Sequence, residues 1–208
     1  MISCIFFGDS ITYGVFDGVN GGYVDILKRH AHAKYQTDLV NEVNCFNQGI
    51  GGETTEGILK RIEIEIQARL GDEKTIIFLA YGANDLGQLN GKYLVEIDQF
   101  RKNYNQLLQI AKKYANEVYA INILPISKQL DGLKIPNRKF RTSESILSYN
   151  KVIQELAHEN EINYIDFYSE FESEKESFLS KDGIHPNAEG YQFLAEKIKP
   201  IIDDNLKL

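Results

Sequence analysis

A serine hydroxyl is a poor nucleophile unaided, because its proton is held far above neutral pH. It becomes useful when an imidazole takes that proton and a carboxylate orients the imidazole. Ser10 follows the apolar run Ile5-Phe6-Phe7 in the stretch Gly8-Asp9-Ser10-Ile11-Thr12. Near the other end of the chain, Asp182-Gly183-Ile184-His185-Pro186 supplies a carboxylate and an imidazole three positions apart. On one turn, that spacing lets Asp182 accept from Nδ1 of His185 and leaves Nε2 free to face a serine. The other histidines, His30, His32 and His158, lie among charged residues and read as solvated.

Two further segments bear on this chemistry. Asn47-Gln48-Gly49-Ile50-Gly51-Gly52-Glu53-Thr54 is rich in glycine, which lets a backbone approach a ligand, and the N–H of Gly52 is a candidate oxyanion donor. Gly82-Ala83-Asn84-Asp85 offers a carboxamide that can donate to an oxyanion without carrying charge. Taken singly, each segment reads equally well as a turn or a helix cap.

The elements that must position these groups are legible from periodicity. Residues 2–7, 75–81, 117–123 and 161–167 are apolar runs of the kind buried on both faces of a parallel sheet, and residues 39–46 are a weaker strand. Helical spacing runs through 92–115 and 143–159, and a last helix opens at Pro186, Asn187 and Ala188. Ile62-Glu63-Ile64-Glu65-Ile66 alternates like a strand. However, Ile58, Ile62 and Ile66 with Leu59 and Leu70 make a helical stripe, with Thr54 or Thr55 to cap it and Gly71 to end it. Helix is the expectation there. Strand and helix alternate, which predicts a three-layer, doubly wound α/β fold of flavodoxin-like type. It would have a parallel sheet of about five strands and helices on both faces. Each chemical segment then falls after a strand or before the last helix, where such sheets collect their reactive groups. Residues 125–141 are the one long irregular stretch, and no linker divides residues 1–208.

In order, spacing and strand-end placement, the four segments resemble the four blocks of the SGNH hydrolases, the GDSL esterase and lipase family. The likeness spans Phe7 to Leu194, with Ile11 in place of the leucine of the family's name. It implies a nucleophile at Ser10 and a base at His185 oriented by Asp182. It also implies an oxyanion hole made by the N–H groups of Ser10 and Gly52 and the carboxamide of Asn84. It implies an acyl-Ser10 intermediate with no metal or organic cofactor, and it leaves the ester open. A lysophospholipid, a thioester, a small acyl ester and an O-acetylated sugar all fit, as does acyl transfer to another acceptor. A catalytically silent binding module is disfavoured, because nucleophile, base, orienter and oxyanion donors are all present. A nucleotide-binding flavodoxin-like protein is disfavoured too, because Gly49–Gly52 lacks the pattern of a phosphate loop.

Substrate contacts are less defined. Tyr13 and Tyr81, with Phe16 and Tyr23, are candidates to line an acyl pocket. The stretch Lys128 to Arg141 carries five cations, among them Lys128, Arg138 and Arg141, against Asp131 alone. It reads either as a solvated loop or as a flap that recruits an anionic acyl donor. The whole chain has a net charge of -7, which argues against nucleic acid as a partner. No run approaches the roughly 20 apolar residues of a membrane span. The apolar start lacks a basic n-region and runs straight into the serine segment, so no signal peptide is expected. Cys4 and Cys45, the only cysteines, fall in expected strands and read as packed, reduced thiols, which predicts a soluble, single-domain cytoplasmic protein.

Overall fold

A computed structural model describes residues 1–38 and 40–207. In chain order its elements begin with β1 (Ile2–Gly8), α1 (Ser10–Tyr13), α2 (Tyr23–Asp38), β2 (Val43–Gly49), α3 (Thr55–Ile58) and α4 (Ile62–Gln67). They continue with β3 (Lys74–Ala80), β4 (Gln88–Leu89), β5 (Lys92–Tyr93), α5 (Ile97–Tyr114) and β6 (Glu117–Ile121). Last come α6 (Ser143–Glu159), β7 (Asn163–Ile165), α7 (Tyr168–Phe178) and α8 (Ala188–Leu206). Five strands pair in the order β2-β1-β3-β6-β7, and every pairing is parallel. Among these five strands the chain steps outward from β1 first to β2 and then, in the other direction, to β3. The topological switch point therefore lies beside β1.

Side-chain alternation divides the core into two layers. Ile5 and Phe7 of β1, with Ile77 and Leu79 of β3, pack under α3, α4, α5 and α6. Cys4 and Phe6, with Ile76 and Phe78, face α2, α7 and α8. Because both faces are covered, the strands are apolar throughout rather than alternating. On the second face Phe6, Phe78 and Tyr119 stand opposite one another across three strands. Their rings stack at 4.3 and 5.0 Å between centroids. This places aromatic mass at mid-height of the sheet, below the ends where chemistry is possible.

The structure departs from the sequence expectations in four places, each for a local reason. The expected helix 92–115 begins only at Ile97. Asn90 and Gly91 adopt positive φ and turn the chain into the β4–β5 hairpin, and Val95 then donates to the Asp85 carbonyl. The helix expected from Thr54 to Gly71 is broken into α3 and α4 at residues 59–61, where Arg61 turns its guanidinium back onto Glu53 and the Gln48 carbonyl. The weak strand 39–46 is β2 at 43–49, and residue 39 lies outside the described residues. Helix α7 had no expectation at all. Its sequence is polar and it buries chiefly Phe171 and Lys175.

Register sets the height of the chemical segments. Gly8 stands opposite Gly49 on one side and Ala80 on the other. A Cβ on Gly49 would come within 2.3 Å of the Tyr13 nitrogen and 2.8 Å of the Asp9 carbonyl oxygen. Gly49→Ala must therefore push the Asp9–Tyr13 turn off the sheet edge, at a cost of about 1–3 kcal/mol for overpacking. The expected result is a melting temperature lowered by several degrees and a larger proportional loss of esterase turnover, read by thermal unfolding and by initial rates on one sample.

Candidate active site

Gly8-Asp9-Ser10 is a strand-to-helix turn. The Asp9 carboxylate accepts from the Ile11 N–H at 3.0 Å and so caps α1, while Gly14 closes the helix with a φ of 94°. Ser10 is thereby the first residue of α1, where backbone N–H groups have no partner within the helix. Asp182 sits on a second turn, before α8. Its Oδ1 accepts from Ser180 Oγ and from the N–H groups of Ile184 and His185, at 2.8–3.0 Å. Its Oδ2 lies 2.5 Å from Nδ1 of His185. Burial alone would raise the Asp182 carboxyl, but the His185 ring and these donors hold it well below the usual carboxylate range. Nε2 of His185 lies 2.7 Å from Ser10 Oγ, joining residues 175 positions apart.

The two central segments close around this pair. Gly52 has a φ of 79° and open space where a Cβ would stand, and Gly51 beside it approaches the Ser10 Cβ. The Asn84 carboxamide points its Nδ2 at the Glu53 carbonyl (3.1 Å) and at Asp9 Oδ2 (3.2 Å). Its Oδ1 accepts from Lys139 Nζ at 2.7 Å. All the residues expected in the site thus converge at the carboxyl ends of β1, β2 and β3, apart from some of the substrate contacts.

Those contacts divide. Tyr13 is exposed at the rim. Tyr81 is buried, with its hydroxyl donating to Glu53 Oε2 at 2.7 Å, so it supports the floor of the site and does not line its mouth. Tyr23 is likewise buried, against Thr12. Phe16 is exposed, in a left-handed conformation, and sets its ring edge-to-face with His185 at 5.2 Å. Arg141 is only 7% exposed and spends its guanidinium on the Ala83 and Lys139 carbonyls, so it is an internal prop and not a free cation. Lys128 is exposed at the base of the 125–141 segment, where its N–H donates to Glu176. Arg138 is exposed and lines a cavity of about 170 Å³ with Leu130, Leu133, Ile135, Asp182 and Ile184. His30, expected in solvent, instead pairs with Asp203 of α8 at 2.5 Å.

Sequence reasoning missed the buried charges behind these groups. Glu53 grips Arg61 through two oxygens, at 2.9 and 2.6 Å, and fixes the glycine-rich turn from below. Asp9 is 3% exposed, and burial raises its carboxyl despite the Ile11 N–H and the nearby His185, Arg141 and Lys139. The only signal for either was an acidic residue inside a glycine-rich block. Among the described residues, no group of three or more His, Cys, Asp or Glu is arranged to hold a metal ion, and no helix is long and apolar enough to cross a membrane.

Residues 6–193 match the profile of the GDSL-like Lipase/Acylhydrolase family. The spore germination lipase LipC of Bacillus licheniformis is 25% identical over 205 residues, covering 92% of each chain. A crystal structure of a lipase/acylhydrolase from Enterococcus faecalis superposes with a TM-score of 0.75 at 29% identity, over 100% of this chain and 98% of the other. The acetyl xylan esterase AlAXEase superposes with a TM-score of 0.75 at 25% identity, over 96% and 98%.

One group in the third segment carries a pH signature. Burial pushes the Asp85 carboxyl up to about 6 despite its bonds from the Thr55 N–H and Oγ1, and its Oδ2 is buried without a partner among the described residues. A folded-state value above the unfolded one means stability falls as pH rises between about 4 and 6, with a penalty on the order of 3 kcal/mol above that window. Asp85→Asn removes this titration. The variant's stability relative to the parent should therefore increase from pH 4 to pH 7 and then level off, as measured by urea unfolding across that range.

Proposed function

The chain belongs to the GDSL-like lipase/acylhydrolase family and hydrolyses ester bonds, and from that premise we propose that it does so through an acyl-enzyme on Ser10. Ser10 Oγ attacks the ester carbonyl carbon as its proton passes to Nε2 of His185, and Asp182 holds the imidazolium through Nδ1. The N–H groups of Ser10 and Gly52 and the Asn84 carboxamide receive the oxyanion. Collapse expels the alcohol, which takes the proton from His185. A water, deprotonated in turn by His185, then releases the acid and restores Ser10. The observation that carries this reading is the unbroken line from Asp182 to His185 to Ser10, at 2.5 and 2.7 Å.

For substrate, we infer a carboxylic ester with a small acyl group and an anionic remainder. The cavity beside Asp182 supports this, because Leu130, Leu133 and Ile135 offer apolar surface while the exposed Arg138 stands at its margin. A second reading, removal of O-acetyl groups from sugars, draws on the adjoining groove, where Gln88, Asn90 and Asn137 bring polar side chains near Phe140. The compartment inferred is the cytoplasm, on the strength of the two free thiols, Cys4 and Cys45, both buried.

Three experiments test these readings. Ser10→Ala should abolish both p-nitrophenyl acetate turnover and labelling by a fluorophosphonate probe, and labelling that survives places the nucleophile elsewhere. Asn84→Ala should lose about 2.7–4 kcal/mol of transition-state stabilisation, seen as a 10²–10³-fold fall in kcat with KM little changed. For the substrate, kcat/KM on a carboxylated p-nitrophenyl ester should fall with added salt while that on its neutral counterpart stays level. Equal salt responses, together with preferred turnover of an acetylated xylo-oligosaccharide, would favour the sugar reading.

A further inference from the structure

We propose that Lys139 is a positioning residue of the oxyanion site, acting through the carboxamide of Asn84; the proposal rests on the reading of Asn84 as an oxyanion donor. A carboxamide has two N–H donors on one side and an acceptor oxygen on the other. At Asn84 both sides are engaged: Nδ2 faces the Glu53 carbonyl and Asp9 Oδ2, and Oδ1 faces Lys139 Nζ. The two contacts on Nδ2 are long, at 3.1 and 3.2 Å, whereas the contact from Lys139 is short, at 2.7 Å. The firm anchor of this side chain is therefore the lysine. The amide hydrogen aimed at Asp9 is the weaker commitment, and it is the one that a forming oxyanion can share while Lys139 keeps the carboxamide plane in place.

The ammonium does more than hold the plane. A cation bonded to an amide oxygen draws electron density from the nitrogen and strengthens what the N–H groups donate, the more so where water is excluded. Lys139 is half-buried, and desolvation and the neighbouring Arg141 hold its ammonium below the usual lysine value, against Asp9 and Asp85, which favour the charged form. It also offsets part of the buried Asp9 charge, which otherwise faces the place where negative charge develops.

The geometry is built, not incidental. Phe140 exchanges both backbone hydrogen bonds with Gln88, at 2.8 and 2.9 Å, and Arg141 Nε donates to the Ala83 carbonyl at 3.1 Å. These bonds lay residues 139–141 alongside the Asn84 turn. The stem of Lys139 crosses Gly87 so closely that a Cβ there would lie 3.0 Å from its Cδ. A basic residue that the sequence assigns to a solvated loop or flap is thus clamped into the back of the site.

The test is a double-mutant cycle on p-nitrophenyl acetate hydrolysis. Lys139→Met keeps the stem and removes the charge, and it should lower kcat about tenfold or more with KM little changed. Lys139→Met combined with Asn84→Ala should be no slower than Asn84→Ala alone, because a residue acting only through Asn84 has nothing left to act on. Lys139→Arg, which keeps a cationic donor, should recover part of the lost kcat. An unchanged kcat in Lys139→Met overturns the proposal, and so do losses that add in the double variant. A harmless Asn84→Ala would instead fail the oxyanion reading itself, so the two failures are separable. Thermal unfolding of each variant provides the fold control, since a merely structural loss from Lys139→Met lowers the active fraction in the parent and in the Asn84→Ala background alike and therefore adds.

Discussion

The site depends on one constraint, the parallel registration of β1 between β2 and β3. With Gly8 level with Gly49 and Ala80, the three strands end at one height, and the three turns that leave them start from a common edge. Ser10, Gly52 and Asn84 owe their proximity to that edge more than to contacts among themselves. A slip of a single residue would turn each strand's side chains to the opposite face, and the two core layers forbid it. The hydrophobic core thus acts as the positional reference for a polar site.

Above that edge the architecture is one of buried charge. Asp9, Glu53, Asp85, Arg61, Lys139 and Arg141 lie behind or beneath the reacting groups, where apolar side chains would pack at less electrostatic cost. Buried ion pairs such as Glu53 with Arg61 add little net stability, because desolvation consumes most of their attraction. What they contribute is direction. A bidentate grip orients a turn in a way that a hydrophobic contact does not: Arg61 and Arg141 hold the Gln48 and Ala83 carbonyls, Lys139 and Asp9 hold the Asn84 carboxamide, and Asp85 holds the Thr55 N–H.

The doubly wound fold was legible in the sequence for a physical reason, and so was the meeting of Ser10, His185 and Asp182. Strands buried on both faces leave long apolar runs, and the polar segments stand at the ends of those runs in a fixed order. The β4–β5 hairpin was not legible, because its two-residue strands fall below any periodic signal and Leu94 mimics the start of a helix. Helix α7 escaped because its polar surface outweighs the few residues it buries. Tyr81 and Arg141 misled in the same manner. Each has the chemistry of a substrate contact, yet each turns its polar group inward onto a partner that sequence spacing cannot reveal. Lys139 was lost in a run of like charges, where only the fold separates the one lysine that turns inward from its exposed neighbours.

The contact between Ser10 and His185 also has a consequence in time. A ribosome releases Ser10 ahead of β2 and His185 only after β6, β7 and α7 have been made. The early strands can pair and bury their faces while Ser10 still lacks the imidazole of His185 beside it. The contact therefore forms only once the turn before α8 is in place, together with the packing of α8 on α2 that completes the second layer. A chain cut short anywhere before that turn carries Ser10 without its partner His185.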